Sequence, residues 1–162
     1  MASIQDLASS IAQFEGFNTP GSLAATNNNP GNLRSWGSNP VVNGFASFPT
    51  ADAGWAALES QIGQNINRGL TLNEFFAGKP GVYAGYAPAA DSNQPAGYAA
   101  TVASWIGISP DVPLADALDG TAVAGSAAAV DAGVASASGE GPAWGILAAA
   151  VGGAALLWLL LR

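Results

Sequence analysis

The chain has 162 residues; 49% are hydrophobic and only 9% charged, with 11 acids against 4 bases for a net charge of −7. So acidic a chain offers no footprint for nucleic acid, which is held by Lys and Arg on phosphates. It has no cysteine and no histidine, which excludes disulfides, thiol nucleophiles, Ser-His-Asp chemistry and the usual zinc sites. Carboxylates, amides, hydroxyls and backbone remain as the available chemistry. A soluble domain carries roughly a quarter charged residues. The shortfall points to a membrane segment and to low-complexity Ala/Gly sequence, and both are present. The segment from Met1 carries Asp6 and lacks a basic start and an apolar core, so no signal peptide is expected.

Ser3 and Asp6 make a capping box with Asp in place of Glu. Ile4, Leu7, Ala8, Ile11 and Phe14 follow at helical spacing. A helix is expected over Ile4–Glu15, stopped by Gly16. Glu15 lies four residues beyond Ile11, near the apolar stripe. Residues 18–32 read as loop, with turns at Thr19-Pro20-Gly21 and Asn29-Pro30-Gly31. Asn43-Gly44, between Val41-Val42 and Phe45-Ala46, predicts a small hairpin that needs helices to pack on. Thr50 caps a helix over Ala51–Asn67 whose apolar face is Trp55, Leu58, Ile62 and Ile66. Thr71 and Glu74 form a second capping box, opening a short helix that ends at Gly78. Residues 79–93 read as loop. A last helix starts at Gln94-Pro95, carries Tyr98, Val102, Trp105 and Ile106, and stops at Gly107.

These elements predict a mainly α domain with a small β-hairpin over residues 1–110. Residues 111–141 are almost entirely Ala, Gly, Ser, Val and Asp and read as a flexible linker. Residues 142–162 read as one transmembrane helix. The nineteen uncharged residues Ala143–Leu161 would span about 28 Å, close to the hydrocarbon thickness of a bilayer. Trp144 and Trp158 suit the two interfaces, and Arg162 favours a cytoplasmic C-terminus. The globular domain then faces the periplasm.

The chemistry concentrates between Phe14 and Arg34. A carboxylic acid near aromatics has its pKa raised by desolvation, which suits a proton donor at neutral pH. The block Asn27-Asn28-Asn29-Pro30-Gly31-Asn32-Leu33-Arg34 follows. Amides present donors and acceptors without fixed charge, which suits sugars. Glu15 is therefore the expected catalytic acid of a glycoside-cleaving site, against the plainer reading of a solvated helix end. Asn28, Asn29, Asn32, Arg34, Trp36, Tyr83 and Tyr86 are the expected substrate-binding residues, Arg34 by orienting the loop through its carbonyls. Tyr98 suits core as well as groove; Trp55 and Trp105 read as core. Asp52 reads as a helix cap and Glu59 as solvated, so neither is expected as a second catalytic carboxylate. The acids are too scattered for a calcium site; no metal or cofactor is expected.

A helix ending in glutamate, then Asn28-Asn29-Pro30-Gly31-Asn32-Leu33-Arg34, then a short hairpin leading into Ala53-Gly54-Trp55-Ala56-Ala57-Leu58, resembles the lysozyme-like domains of bacteriophage virion proteins. Those are similar to soluble lytic transglycosylases and goose-type lysozyme, and the likeness covers about residues 4–108. The resemblance implies cleavage of the β-1,4 bond between N-acetylmuramic acid and N-acetylglucosamine in peptidoglycan. The family's single catalytic glutamate maps to Glu15 and its substrate loop to Asn28 through Arg34. Gly16 stands where the transglycosylases often carry serine. It further implies a virion protein, membrane-anchored through Ala143–Leu161, that opens the wall locally as the genome enters. Its partners would be glycan strands, lipid and other virion proteins. Two alternatives share the sequence: a non-catalytic peptidoglycan-binding or structural module on the same fold, and a membrane-perturbing protein whose apolar tail is the active part.

Overall fold

Helix α1 (Ile4–Phe14) begins where Ser3 Oγ accepts the Asp6 N–H and the Asp6 carboxylate accepts the Ser3 N–H, the reciprocal box read from the sequence. Leu7, Ala8 and Ile11 are fully buried. Helix α3 (Ala51–Asn67), capped by Thr50 Oγ1, has the predicted ends. Helices α4 (Leu72–Ala77) and α5 (Pro95–Ile106) also lie where expected, α4 with both halves of its capping box formed. The computed structural model describes residues 1–119, except the side chain of Asp91. In it α1 packs on α3 and α5, and α5 on α4. One core joins Leu7, Ile11, Leu58, Ile62, Phe75, Phe76 and Val102.

Strands β1 (Val41–Val42) and β2 (Phe45–Ala46) pair antiparallel, Val41 with Ala46 and Val42 with Phe45. Asn43 and Gly44 both have positive φ, +53° and +86°, as a two-residue turn matching strand twist requires. Strand β1 is exposed and β2 buried. The hairpin thus leans on the domain by its second strand, and Ala46 N–H donates to Leu33 O at 2.7 Å.

The structure departs from the sequence reading in four places. Helix α2 (Leu23–Thr26), capped by Ser22 Oγ, interrupts the expected loop; one turn is too short to show a period. A 3-10 turn over Ala89–Asp91 does the same within 79–93. Trp105 is 46% exposed, because α5 turns Ala99, Val102 and Ala103 to the core instead. The domain also continues past residue 110. Helix α6 (Leu114–Ala117) inserts Leu114, Leu118 is buried beside it, and Ala2 bridges Leu118 in parallel. Residues 111–119 therefore belong to the folded domain. The rest of the expected linker and the apolar run Ala143–Leu161 lie outside the described residues. Among the described residues, no helix is long and apolar enough to cross a membrane.

Leu114 comes from a segment read as linker, and it is fully buried. Leu114→Ala should cost about 2–5 kcal/mol, the usual range for a leucine cavity. Urea denaturation monitored by tryptophan fluorescence checks this; a change within 0.5 kcal/mol, roughly the scale of surface substitutions, would show that α6 does not complete the core.

Candidate functional site

The asparagine block is a piece of architecture before it is a surface. Asn28 and Asn32 have φ of +51° and +45°, the left-handed region that asparagine tolerates better than other non-glycine residues. Asn29 is fully buried. Its Nδ2 donates to Leu33 O and to Ala46 O, both at 2.8 Å, and its Oδ1 accepts the Leu33 N–H at 2.9 Å. Asn27 Nδ2 donates to Val42 O and Asn28 Nδ2 to Phe48 O. The Asn29 amide is thus spent on main-chain groups inside the fold, and half-buried Asn28 commits its Nδ2 to a main-chain carbonyl; together they join the turn to the hairpin and to the approach to α3. A Cβ on Gly54 of α3 would stand 1.9 Å from Asn28 O, so only glycine lets the helix seat against this turn.

What the turn delivers is Asn32. Its Nδ2 donates to Glu15 Oε2 at 2.9 Å, and from the other side Tyr98 Oη donates to Glu15 Oε1 at 2.5 Å. Glu15 caps the C-terminus of α1. The residue is half-buried, and its carboxyl end is the enclosed part. Burial pushes its pKa up from 4.5 to about 7, against the opposing pull of the Tyr98 and Asn32 hydrogen bonds. The cost of an enclosed charge thus outweighs two good donors, and no neighbouring acid contributes. Phe14 stacks on Tyr98 at a centroid distance of 3.7 Å although it is itself 40% exposed. Phe17 meets Trp55 edge-on.

Beyond Asn32 opens a cleft of ≈ 210 Å³ walled by Asn32, Leu33, Arg34, Ser35, Trp36, Gln61, Arg68, Tyr83, Gly85 and Tyr86. Five of the expected binding residues, Asn32, Arg34, Trp36, Tyr83 and Tyr86, meet here. Glu15 is not in the wall; it stands behind Asn32, one hydrogen bond away. Tyr86 is buried, and its hydroxyl donates to Gly31 O. A Cβ on Gly31 would come within 2.8 Å of that hydroxyl and of Leu58. Gln61 Nε2 donates to Tyr83 Oη at 2.8 Å, and burial pushes the Tyr83 pKa up to about 12. Arg34 Nε is buried without a partner, so it does not make the expected tie to loop carbonyls; its guanidinium lies 5.8 Å from the Phe45 ring centre. Asn32 Oδ1 is likewise buried and unpartnered.

Sequence reasoning missed Gln61 and Arg68 as cleft residues and left Tyr98 undecided. Tyr98 lies 83 positions from Glu15, and nothing local links the two. Among the described residues, no group of three or more His, Cys, Asp or Glu side chains comes together. No family model matches the chain, and neither does any curated protein or solved structure.

The raised pKa has a stability consequence. Glu15 holds its proton more tightly folded than unfolded. Its stabilising effect is therefore complete below the unfolded value of 4.5 and is lost as pH rises through about 7. Glu15→Gln, neutral at every pH, should match the wild type in stability at pH 4 and exceed it at pH 8, by on the order of 3 kcal/mol. Urea midpoints of both proteins at the two pH values measure the difference; equal gaps at pH 4 and pH 8 would place the carboxyl in ordinary solvent.

Proposed function

We propose that the domain cleaves the β-1,4 bond between N-acetylmuramic acid and N-acetylglucosamine in peptidoglycan, with Glu15 as its single catalytic acid. The observation that carries the reading is a carboxyl held near neutral pKa between Tyr98 and Asn32, one hydrogen bond behind the Asn32 wall of a cleft lined by aromatic and amide side chains. A general acid works best with a pKa near the working pH. Aromatic rings such as Trp36 and Tyr83 suit sugar faces, and Gln61 and Asn32 suit hydroxyl and acetamido groups. The likeness of Asn28 through Arg34 to the substrate loop of lysozyme-like domains supports the same assignment.

In this mechanism Asn32 yields Glu15 Oε2 as the glycan fills the cleft. Glu15 protonates the glycosidic oxygen, the C1–O bond breaks, and the glucosamine residue leaves with a free 4-hydroxyl. The acetamido carbonyl oxygen of the muramic acid closes on C1, supplying the nucleophile that a second carboxylate provides in other glycosidases. The Glu15 carboxylate then takes the proton from the 6-hydroxyl. O6 attacks C1, the acetamido group is released, and a 1,6-anhydro product forms as Glu15 regains its proton. Water in place of O6 gives the hydrolysed sugar. The apolar run Ala143–Leu161 and the phage likeness support a membrane-anchored virion enzyme that acts on the wall from the periplasmic side as the genome enters.

One observation favours a second reading. Glu15 stands outside the cleft wall and both its oxygens are already bonded, which also suits a glycan-binding module in which Glu15 only braces the turn. The two readings separate on Glu15→Gln. Loss of a positioned acid costs about 10²–10⁴-fold in rate, so clearing of purified cell walls in a zymogram should vanish, with wall binding retained. Wild-type activity should fall as pH rises above about 7, and mass spectrometry of released muropeptides should show anhydro or hydrolysed muramic ends. Equal clearing by mutant and wild type would remove Glu15 from the chemistry. Wall binding without clearing by the wild type would leave the module.

A further inference from the structure

The chain has only four basic residues, yet two of them, Arg34 and Arg68, line the same cleft, and none of its other walls is an acid. Lys79, the remaining base among the described residues, is paired with Glu74 at 3.0 Å. Among those residues, no acid side chain forms a salt bridge with either cleft arginine. Arg34 is the more telling of the two. Its Nε is buried without a hydrogen-bond partner, and a donor on a charged group left unmet costs more than an ordinary lost bond. Arg68 is held ready: its Nη1 donates to buried Asn65 Oδ1 at 2.8 Å, and its guanidinium lies 5.3 Å from the Tyr83 ring centre. In a domain otherwise dominated by acids, two guanidinium groups without counter-charge on one cleft form a receptor for an anion, and their planar donors match a carboxylate.

Resting on the glycan-cleaving reading above, we propose that Arg34 and Arg68 form a carboxylate subsite that selects the muramic side of the substrate. The muramic residue differs from glucosamine by a 3-O-lactyl group. Its acid is free on a bare strand and amide-linked on a strand with stem peptides, whose own carboxylates then supply the charge. Chitin-type oligosaccharides share the backbone and carry neither. The subsite therefore gives the cleft a reason to prefer wall glycan over an uncharged polymer of the same linkage, a distinction that aromatic stacking alone does not make.

Binding tests this separately from catalysis. The full-length chain in detergent, carrying Glu15→Gln so that nothing turns over, is titrated calorimetrically with three probes. These are a muramyl tetrasaccharide with free lactyl groups, the same tetrasaccharide with stem peptides, and chitotetraose. At low salt at least one acidic probe should bind about tenfold tighter than chitotetraose, the scale of one charge-assisted hydrogen bond. The advantage should shrink as salt is raised and fall to the chitotetraose level in Arg68→Gln, a substitution at an exposed position whose fold is checked by its urea midpoint. Arg34→Gln should do the same. Whichever acidic probe carries the advantage identifies the lactyl or the stem carboxylate as the source. Equal affinity for all three probes would overturn the subsite, as would an advantage that survives both substitutions. Selectivity in a protein that clears no walls would keep the subsite and sink the glycosidase; clearing without selectivity would do the reverse.

Discussion

The site depends on the side chain of Asn29. It is fully buried and engages three main-chain groups, the N–H and C=O of Leu33 and the C=O of Ala46. The Leu33 C=O also accepts the Ala46 N–H; the other two have Asn29 as their partner, and a buried polar group left unpaired costs about 1–3 kcal/mol. The amide therefore ties the turn to itself and to β2 at once. With the turn closed, Pro30 and Asn28 O become the floor on which Gly54 of α3 rests, and Gly31 O becomes the acceptor for Tyr86 from across the cleft. Only then does the left-handed residue Asn32 project toward Glu15. The acid and the cleft are thus coupled through one turn. Its stiffness is what allows an enclosed carboxyl to keep a fixed distance from the space a ligand would fill.

Local rules were legible and non-local ones were not. Both capping boxes, the Asn43-Gly44 turn and the ends of α3 follow from neighbours within four residues, and the structure repeats them. Glu15 could be placed beside the apolar stripe of α1 from spacing alone. Its partner Tyr98 could not, because the contact arises from the packing of α1 against α5 and leaves no trace in either segment. The asparagines are ambiguous for a physical reason. An amide serves a sugar hydroxyl and a peptide carbonyl equally well. Which of the two it meets depends on whether the turn buries it, and here Asn28 and Asn29 face the chain while Asn32 faces the acid and the cleft. Leu114 and Leu118 were read as linker because two leucines in an Ala-rich stretch make no periodic face. Their burial is settled by Ala2 and Leu70, whose carbonyls accept from Asp119 and Leu114 N–H.

The hydrogen bonds around Glu15 also constrain its two protonation states. As drawn by the geometry, Tyr98 and Asn32 Nδ2 both donate, which is the arrangement a carboxylate requires. A protonated Glu15 must donate one hydrogen itself, and an amide nitrogen cannot accept it. Two acceptors are within reach: the Tyr98 oxygen, and Asn32 Oδ1 after a half-turn of its amide. That oxygen is buried and has no other partner, so the half-turn gives up the Nδ2 bond and gains a partner for an orphaned atom. Tyr98 itself keeps its proton throughout, because burial and the nearby Glu15 charge hold its pKa well above the ordinary phenol range. The proton on Glu15 is therefore accompanied by the orientation of a side chain that also forms part of the cleft wall. A ligand that draws the Asn32 amide toward itself bears directly on which oxygen of Glu15 is left free to give that proton away.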